Sequence, residues 1–306
     1  YASSQSRIII TNGGQFFVGA QGQTRMDRNA SATLAGGLWD HSDTFEVGFD
    51  GLAGAVAAVD LLAGSAIFRA DVQLGARETG VMTVDGATVT NVANLTVGAN
   101  APSFYGYATG IVNLSSGTLR HLRNLYIGGI NHDSTNRSQF TQTGGTYLNV
   151  SNSTVQIRVG NSSTGALHIA GGTFTATNGA GFNVGNMGSV RGVGYVTNSG
   201  GTMRLGTANL MKGGWVVNGG TVLANGTLFA TNAAELQLDS GLLSVGGMVV
   251  SNGSAMTAGD GASSALLLLR GNASFADGLV VADGAALVVS NTARSEEHTS
   301  ELQSRQ

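Results

Sequence analysis

The densest group of side chains that could do chemistry is Trp39-Asp40-His41-Ser42-Asp43, followed by Glu46. Clustered carboxylates can hold a cation or supply the general acid and base that cleave a polysaccharide, and an exposed indole can stack on a sugar ring. Trp39 is therefore a candidate ligand-binding residue. The same residues also suit a polar loop that precedes a short strand, and we favour that interpretation over a catalytic site.

A second group of candidates falls in two long loops. Three aromatic residues, Phe104, Tyr105 and Tyr107, lie in the first, and Asn131-His132-Asp133 lies in the second. Aromatic rings exposed on a loop can stack against sugars or partner proteins. His132 and Asp133 are adjacent, so an extended chain points their side chains to opposite sides and they make a poor catalytic dyad. We expect the three aromatic residues and His132 to contribute to ligand binding, and we expect no catalytic residue.

Other familiar chemistries have no signature in this chain. It contains no phosphate-binding loop, nucleophile elbow, zinc-ligand spacing or complete dinucleotide fingerprint. Asp-Gly pairs such as Asp85-Gly86 are typical of tight turns, and the period of calcium-binding rolls is absent. A threonine face for ice binding is discounted, because Thr173-Phe174-Thr175 is followed one repeat later by Thr202-Met203-Arg204. We therefore expect neither a metal site nor a cofactor.

These candidates sit in a chain that repeats two short phrases. One is an alternating segment that ends in Gly-Gly-Thr or a close variant, at 116–118, 144–146, 171–173, 200–202 and 219–221. The other is an apolar alternation closed by glycine, at 45–48, 72–75, 95–98, 125–128, 157–160 and 182–185. The phrases alternate at intervals of roughly 20 to 30 residues, the period expected of a solenoid whose coils contact only their neighbours.

The repeat predicts an all-β fold, namely a parallel β-helix (β-solenoid) with roughly 20 to 30 residues and three short strands in each coil. Phe182 and Val184 should then stack on Ile157 and Val159 of the preceding coil, in ladders that face the core. No stretch has convincing helical periodicity, and residues 52–62 are the only weak candidate. The spacing does not determine the handedness of the solenoid.

The longest excursions in the repeat follow Gly98 and Gly128. Loops that leave the same corner of successive coils lie beside one another, so these two should form one ridge of the rod. Stacked repeats commonly bind their partners on such a ridge. Glycans or surface proteins bound along this ridge are the partners that we expect.

The bulk composition limits the classes of function. Charged residues make up 11% of the 306 residues and the formal net charge is −3, so no basic field attracts nucleic acid or an anionic membrane. The chain has 48 glycines and no cysteine, which is compatible with an extracellular bacterial solenoid. No apolar run reaches the length of about 18 residues that a membrane helix needs. We expect neither nucleic-acid binding nor membrane insertion.

The two ends of the chain differ from the repeat. The chain starts at Tyr1 with no visible signal peptide, which suggests that a front segment is missing. Residues 294–304 resemble the translation of a common sequencing adapter, and the repeat stops where they begin. We expect residues 1–292 to form a single β-solenoid fragment, open at both ends and part of a longer chain. Residues 293–306 are expected to be a disordered, non-native tail.

The repeat phrases resemble those of the bacterial autotransporter-associated β-strand repeat proteins, which are passenger-type solenoids. The resemblance is carried by residues 125–129 (Leu-Tyr-Ile-Gly-Gly), 167–173 (Leu-His-Ile-Ala-Gly-Gly-Thr) and 215–221 (Trp-Val-Val-Asn-Gly-Gly-Thr), and it is clearest from Met82 to Ser251. It implies export, cell-surface display and an adhesion or scaffold role. No catalytic residue is carried over, because the repeat motif has none.

Two functions from different classes remain open. We favour a secreted or cell-surface solenoid of structural or adhesin type, a passenger or stalk segment that does no catalysis. The alternative is a polysaccharide-acting β-helix enzyme, a lyase or hydrolase, whose site is incomplete in this chain. Asp40 and Asp43 would then supply its acids.

Overall fold

The computed structural model describes residues 6–20, 22–49, 54–98, 109–129, 137–150, 155–177, 181–186, 188–189 and 191–290. Within these ranges the chain folds as a parallel β-solenoid of about 10 turns, with about 65% of residues in strands and no helix. The prediction of an all-β parallel β-helix is confirmed. Residues 56–62, part of the weak helix candidate, belong to a strand. These ranges contain no helix long and apolar enough to cross a membrane.

The described residues form 29 strands. In chain order they are β1 (Arg7–Ile10), β2 (Gln15–Val18), β3 (Gln23–Met26), β4 (Ser31–His41), β5 (Thr44–Val47), β6 (Val56–Phe68), β7 (Val72–Leu74), β8 (Thr79–Val84), β9 (Thr88–Asn91), β10 (Leu95–Val97), β11 (Thr109–Leu114), β12 (Thr118–His121), β13 (Leu125–Ile127), β14 (Arg137–Gln142), β15 (Thr146–Asn149), β16 (Gln156–Val159), β17 (Thr164–Ile169), β18 (Thr173–Ala176), β19 (Gly181–Val184), β20 (Gly194–Asn198), β21 (Thr202–Leu205), β22 (Ala208–Leu210), β23 (Gly213–Thr231), β24 (Glu235–Ser251), β25 (Met256–Ala258), β26 (Ala265–Leu269), β27 (Ala273–Phe275), β28 (Leu279–Val281) and β29 (Ala285–Val289).

Three parallel faces make up the solenoid, and each coil contributes one strand to each face. In one central coil these strands are β17, β18 and β19. They pair in register with β14, β15 and β16 of the coil before, and with β20, β21 and β22 of the coil after. We name the faces one, two and three in this order. The predicted three strands per coil are thus observed, although β4, β6, β23 and β24 continue through corners, with register shifts in their pairing.

The core consists of apolar ladders that run along the rod. Phe182 and Val184 lie directly over Ile157 and Val159, as the repeat predicts, and all four side chains are fully buried. The same register continues backwards to Leu125 and to the equivalent strands before it. Because the side chains of a strand alternate between core and solvent, each coil buries every second residue. Burial of one such side chain stabilises the fold by roughly 1.5–3 kcal/mol.

Glycine is required where the chain turns close to the neighbouring coil. Gly172, in the corner between faces one and two, has a φ of 69°, and a Cβ there would lie 2.3 Å from the Gly145 carbonyl oxygen. Gly160, which closes the third-face strand, has a φ of 77°, and its Cβ would lie 2.2 Å from the Val193 carbonyl oxygen. Only glycine tolerates both the left-handed backbone and this approach. The two glycine phrases of the sequence therefore mark two corners at which neighbouring coils approach each other closely.

Candidate functional site

Asp40, the first acid of the predicted cluster, is bound by an arginine. Its carboxylate lies on the outside of face two, where Arg69 of the next coil donates from Nε and Nη2 to its two oxygens, each at 2.7 Å. The hydrogen bond from Arg69 holds the pKa of Asp40 below its ordinary value. An ionised carboxylate has no proton to donate, and each oxygen of Asp40 already accepts a hydrogen bond from a side chain of the protein.

Trp39 and His41, the neighbours of Asp40, point into the core. Trp39 is 1% exposed and packs edge-on against Phe45 and Phe68, with ring centroids 5.4 Å and 5.7 Å away. The prediction that Trp39 offers a platform for a sugar is therefore wrong, because the alternation of β4 turns its indole inward. His41 is fully buried as well, and burial lowers its pKa to about 4. It is neutral and has no access to a ligand on the surface.

The remaining acids of the cluster make separate structural contacts. An oxygen of Asp43 accepts a hydrogen bond from the backbone amide of Gly22 at 3.0 Å. Glu46, which is 5% exposed, pairs with Arg25 at 2.7 Å. The interpretation as a polar loop is wrong for Trp39, Asp40 and His41, which belong to β4, and only Ser42 and Asp43 connect β4 to β5. Across the described ranges, no group of three or more His, Cys, Asp or Glu side chains is arranged to hold a metal ion.

The loop candidates Phe104, Tyr105, Tyr107 and His132 lie outside the described residues. The strands that flank their loops are described. One loop follows β10 and the other follows β13, and these two strands pair in register. The loops end at β11 and β14, which also pair in register. Both loops therefore leave and rejoin the solenoid at one corner, between faces three and one, as the ridge hypothesis requires of their ends.

Sequence reasoning missed a column of buried polar side chains. These side chains belong to the last residues of the face-two strands β9, β12 and β15 in the central coils. Asn91, His121 and Asn149 lie in register and are almost fully buried. His121 Nε2 lies 3.0 Å from the Ala93 carbonyl oxygen, and Nδ1 lies 3.1 Å from the Tyr147 hydroxyl. Because a carbonyl can only accept, Nε2 carries the proton and the Tyr147 hydroxyl donates to Nδ1.

The side chains of this column form hydrogen bonds to the backbone of the corner between faces two and three. Asn91 Oδ1 accepts from the Ala93 amide at 2.9 Å, and Asn149 Nδ2 donates to the Arg123 carbonyl at 3.2 Å. Burial lowers the pKa of His121 to about 4, so its imidazole is neutral at physiological pH. Burial also raises the pKa of Tyr147 above its ordinary value. The network satisfies backbone groups that the turn would otherwise leave unpaired in the core, and its role is structural.

The Gly-Gly-Thr phrase places a row of threonines on the outside of face two. Six coils contribute to it in register: Thr88, Thr118, Thr146, Thr173, Thr202 and Thr221. The next outward column is mixed, since Thr175 is followed by Arg204 and then by Leu223. Face two therefore presents a single line of hydroxyl groups, about 4.8 Å apart, rather than a flat threonine array.

The mixed column of face two carries a shallow cavity of about 150 Å³. Its lining combines two guanidinium groups with hydroxyl, amide and aliphatic side chains: Thr177, Arg204, Leu223, Asn225, Ser244 and Arg270. None of these six residues is acidic. Comparisons of the chain with protein families, with curated proteins and with solved structures each found no match.

Proposed function

We propose that this chain forms a rigid rod in a secreted or cell-surface protein of passenger or stalk type, and that its role is structural or adhesive. The observation that carries the proposal is the continuous parallel pairing of the described strands from β1 to β29, with register shifts in the β4–β6 and β23–β24 pairs, around a core only one coil wide. With about 10 turns and a rise of about 4.8 Å per coil, such a rod is roughly 50 Å long. A solenoid of this kind holds two ends, or a row of loops, at fixed separation.

Composition and resemblance support a place outside the cytoplasm. Only 11% of residues are charged and there is no cysteine, so the rod relies on stacked hydrogen-bonded coils rather than on disulfides or surface ion pairs. The glycine-closed phrases resemble those of autotransporter-associated repeats, which implies export and surface display. The loops after Gly98 and Gly128, whose ends lie at one corner of the solenoid, are our proposed contact surface for glycans or surface proteins.

The alternative of a polysaccharide-acting enzyme has less support from the described residues. Its proposed acids already accept hydrogen bonds within the protein, Asp40 from Arg69 and Asp43 from the Gly22 amide. His41, between them, is buried and neutral. We therefore rank the structural role first.

Location can be tested with antibodies raised against folded protein comprising residues 6–290. We expect these antibodies to label intact cells of the source organism, and a short protease treatment of intact cells to remove the label. An antibody against a cytosolic protein serves as the control for cell integrity. Labelling that appears only after permeabilisation would overturn the proposal.

Adhesion by the ridge can be tested with the double substitution Tyr105→Ala with Tyr107→Ala. We expect it to abolish retention of the protein on a glycan array or on host-cell surface protein without changing the circular dichroism spectrum. Tyr195→Ala is the matched control, because Tyr195 is a tyrosine on face one with 47% exposure. If the ridge variant binds like the unaltered protein, or if the control loses binding equally, the ridge is not the contact surface.

A further inference from the structure

The cavity on face two is built by the register of the coils. Arg204 of β21 lies opposite Leu223 of β23, and Leu223 lies opposite Ser244 of β24. These three form its outward column, and Thr177, Asn225 and Arg270 line its other side, at the corner with face three. Ser244 lies on the outward side of β24, between the core residues Leu243 and Val245, yet it is only 3% exposed. It therefore forms the floor of the cavity.

The two arginines approach the cavity from opposite ends. Arg270 donates from Nη2 to the Ala224 carbonyl at 2.7 Å. Ala224 lies in register with Val245, and Val245 with Leu269, so the Arg270 side chain crosses one whole coil and is held against the face. Arg204 is exposed and makes no ion pair with any described residue. Both guanidinium groups belong to a lining that contains no acidic residue.

The lining defines the chemistry of the group that would fit. A guanidinium group recognises planar or tetrahedral oxyanions through paired N–H donors, which suits a carboxylate or a sulfate ester. Leu223 offers an aliphatic surface for the C–H face of a sugar ring. The hydroxyl groups of Thr177 and Ser244 and the amide of Asn225 can exchange hydrogen bonds with sugar hydroxyls. A volume of about 150 Å³ accommodates one such unit, with the rest of a polymer outside.

A peptide suits this face less well than a sugar. Extended peptides commonly bind by adding a strand to a free sheet edge. Here the backbone groups of β21, β23 and β24 are paired with one another along the rod, so the cavity lies on the flat of a sheet and not at an edge. Recognition must therefore come from side chains, which favours a ligand that is itself rich in hydroxyl groups.

We propose that this cavity binds one anionic sugar unit, bearing a carboxylate or a sulfate ester, of an acidic polysaccharide. Arg204 and Arg270 hold the anionic group, Leu223 underlies the ring, and the neutral side chains contact the ring hydroxyls. The site is distinct from the loop ridge, and it does not depend on where the protein is located.

The test is isothermal titration calorimetry of the full chain with four probes. These are trigalacturonic acid, a sulfated trisaccharide, a neutral trigalactoside and triglutamate. The first two distinguish a carboxylate from a sulfate ester, and the last tests for an acidic peptide. We expect at least one anionic saccharide to bind at least about tenfold more tightly than the neutral one, and to weaken as salt is raised.

Arg204→Gln is the decisive variant, because Arg204 is exposed and its replacement leaves the coil intact. We expect it to weaken binding of the anionic saccharide by about tenfold. Arg120→Gln is the matched control, since Arg120 is an exposed arginine in the same outward column on an earlier coil, and its binding should not change. Equal binding of neutral and anionic saccharides, equal or tighter binding of triglutamate, or unchanged binding by Arg204→Gln would each overturn the proposal. None of these results bears on surface labelling, which tests the proposed function separately.

Discussion

Acid should destabilise this solenoid through histidines that are buried in its core. His121 and His41 are fully buried, and each has a pKa of about 4 in the folded chain, against 6.5 for an ordinary histidine. As pH falls below 6.5 the unfolded chain takes up protons that the folded chain cannot accept. The stability that the neutral histidines contribute is therefore complete above pH 6.5 and is lost progressively down to about pH 4.

The size of the effect follows from the two pKa values. Each pH unit between them corresponds to about 1.4 kcal/mol, so His121 alone should cost about 3 kcal/mol of stability between pH 7 and pH 4. His121→Asn tests this, because both register neighbours of His121, Asn91 and Asn149, are asparagines and the site accepts that side chain. The variant should lose about 3 kcal/mol less than the unaltered protein over the same pH interval.

The assay is urea unfolding at pH 7, 5.5 and 4, followed by tryptophan fluorescence, since Trp39 and Trp215 are both buried in the folded chain. The quantity compared is the change in unfolding free energy with pH, which removes any cost of the substitution that does not depend on pH. His168→Gln is the control, because it also removes one histidine but His168 lies on the outward side of β17, away from the core. A His121→Asn variant with the full pH dependence would refute the assignment of a buried, neutral His121.

Three further substitutions test the coil geometry. Val159→Asp places an unpaired charge in a core ladder and should lower the unfolding free energy, measured with urea, by more than about 4 kcal/mol. The control is Arg158→Asp, at the neighbouring outward position, which should lower it far less. Equal losses would mean that the register is wrong by one residue. Gly172→Ala should cost at least about 2 kcal/mol by the same measurement, because the backbone is left-handed and a Cβ meets a carbonyl oxygen, and a neutral result would contradict the close approach of the coils. Arg69→Ala removes the exposed pair with Asp40 and should lower the unfolding free energy slightly in low salt and less in high salt. A loss that high salt does not reduce would show that the pair contributes more than surface electrostatics.

The ladders could be predicted from sequence because they depend on local information. An alternation such as that of Phe182 and Val184 defines which side chains face inward, and the glycine that follows marks the corner. The spacing between phrases then aligns one coil with the next. The pairing of β16 with β19 therefore agrees residue by residue with the prediction.

The candidate site could be predicted less well, for two physical reasons. Residue type alone suggests a ligand-binding role for Trp39 and His41. The two residues stand two apart with the outward Asp40 between them, however, and this alternation places both side chains in the core. The cavity between Arg204 and Arg270 has no local signal at all, because its walls come from coils that are far apart in sequence. Only the register of β21, β23, β24 and β26 brings them together.

At the corner between faces three and one, the number of residues in a coil can change without changing the rise of the coil along the rod. Residues 160–163 connect β16 to β17, and residues 98–108 connect β10 to β11, yet the strands on both sides of each connection pair in the same register. Peptide can therefore be added or removed at this corner without displacing the next coil along the axis. For protein engineering the corner is a series of insertion points about 4.8 Å apart, at which foreign sequences can be displayed at chosen distances from one another.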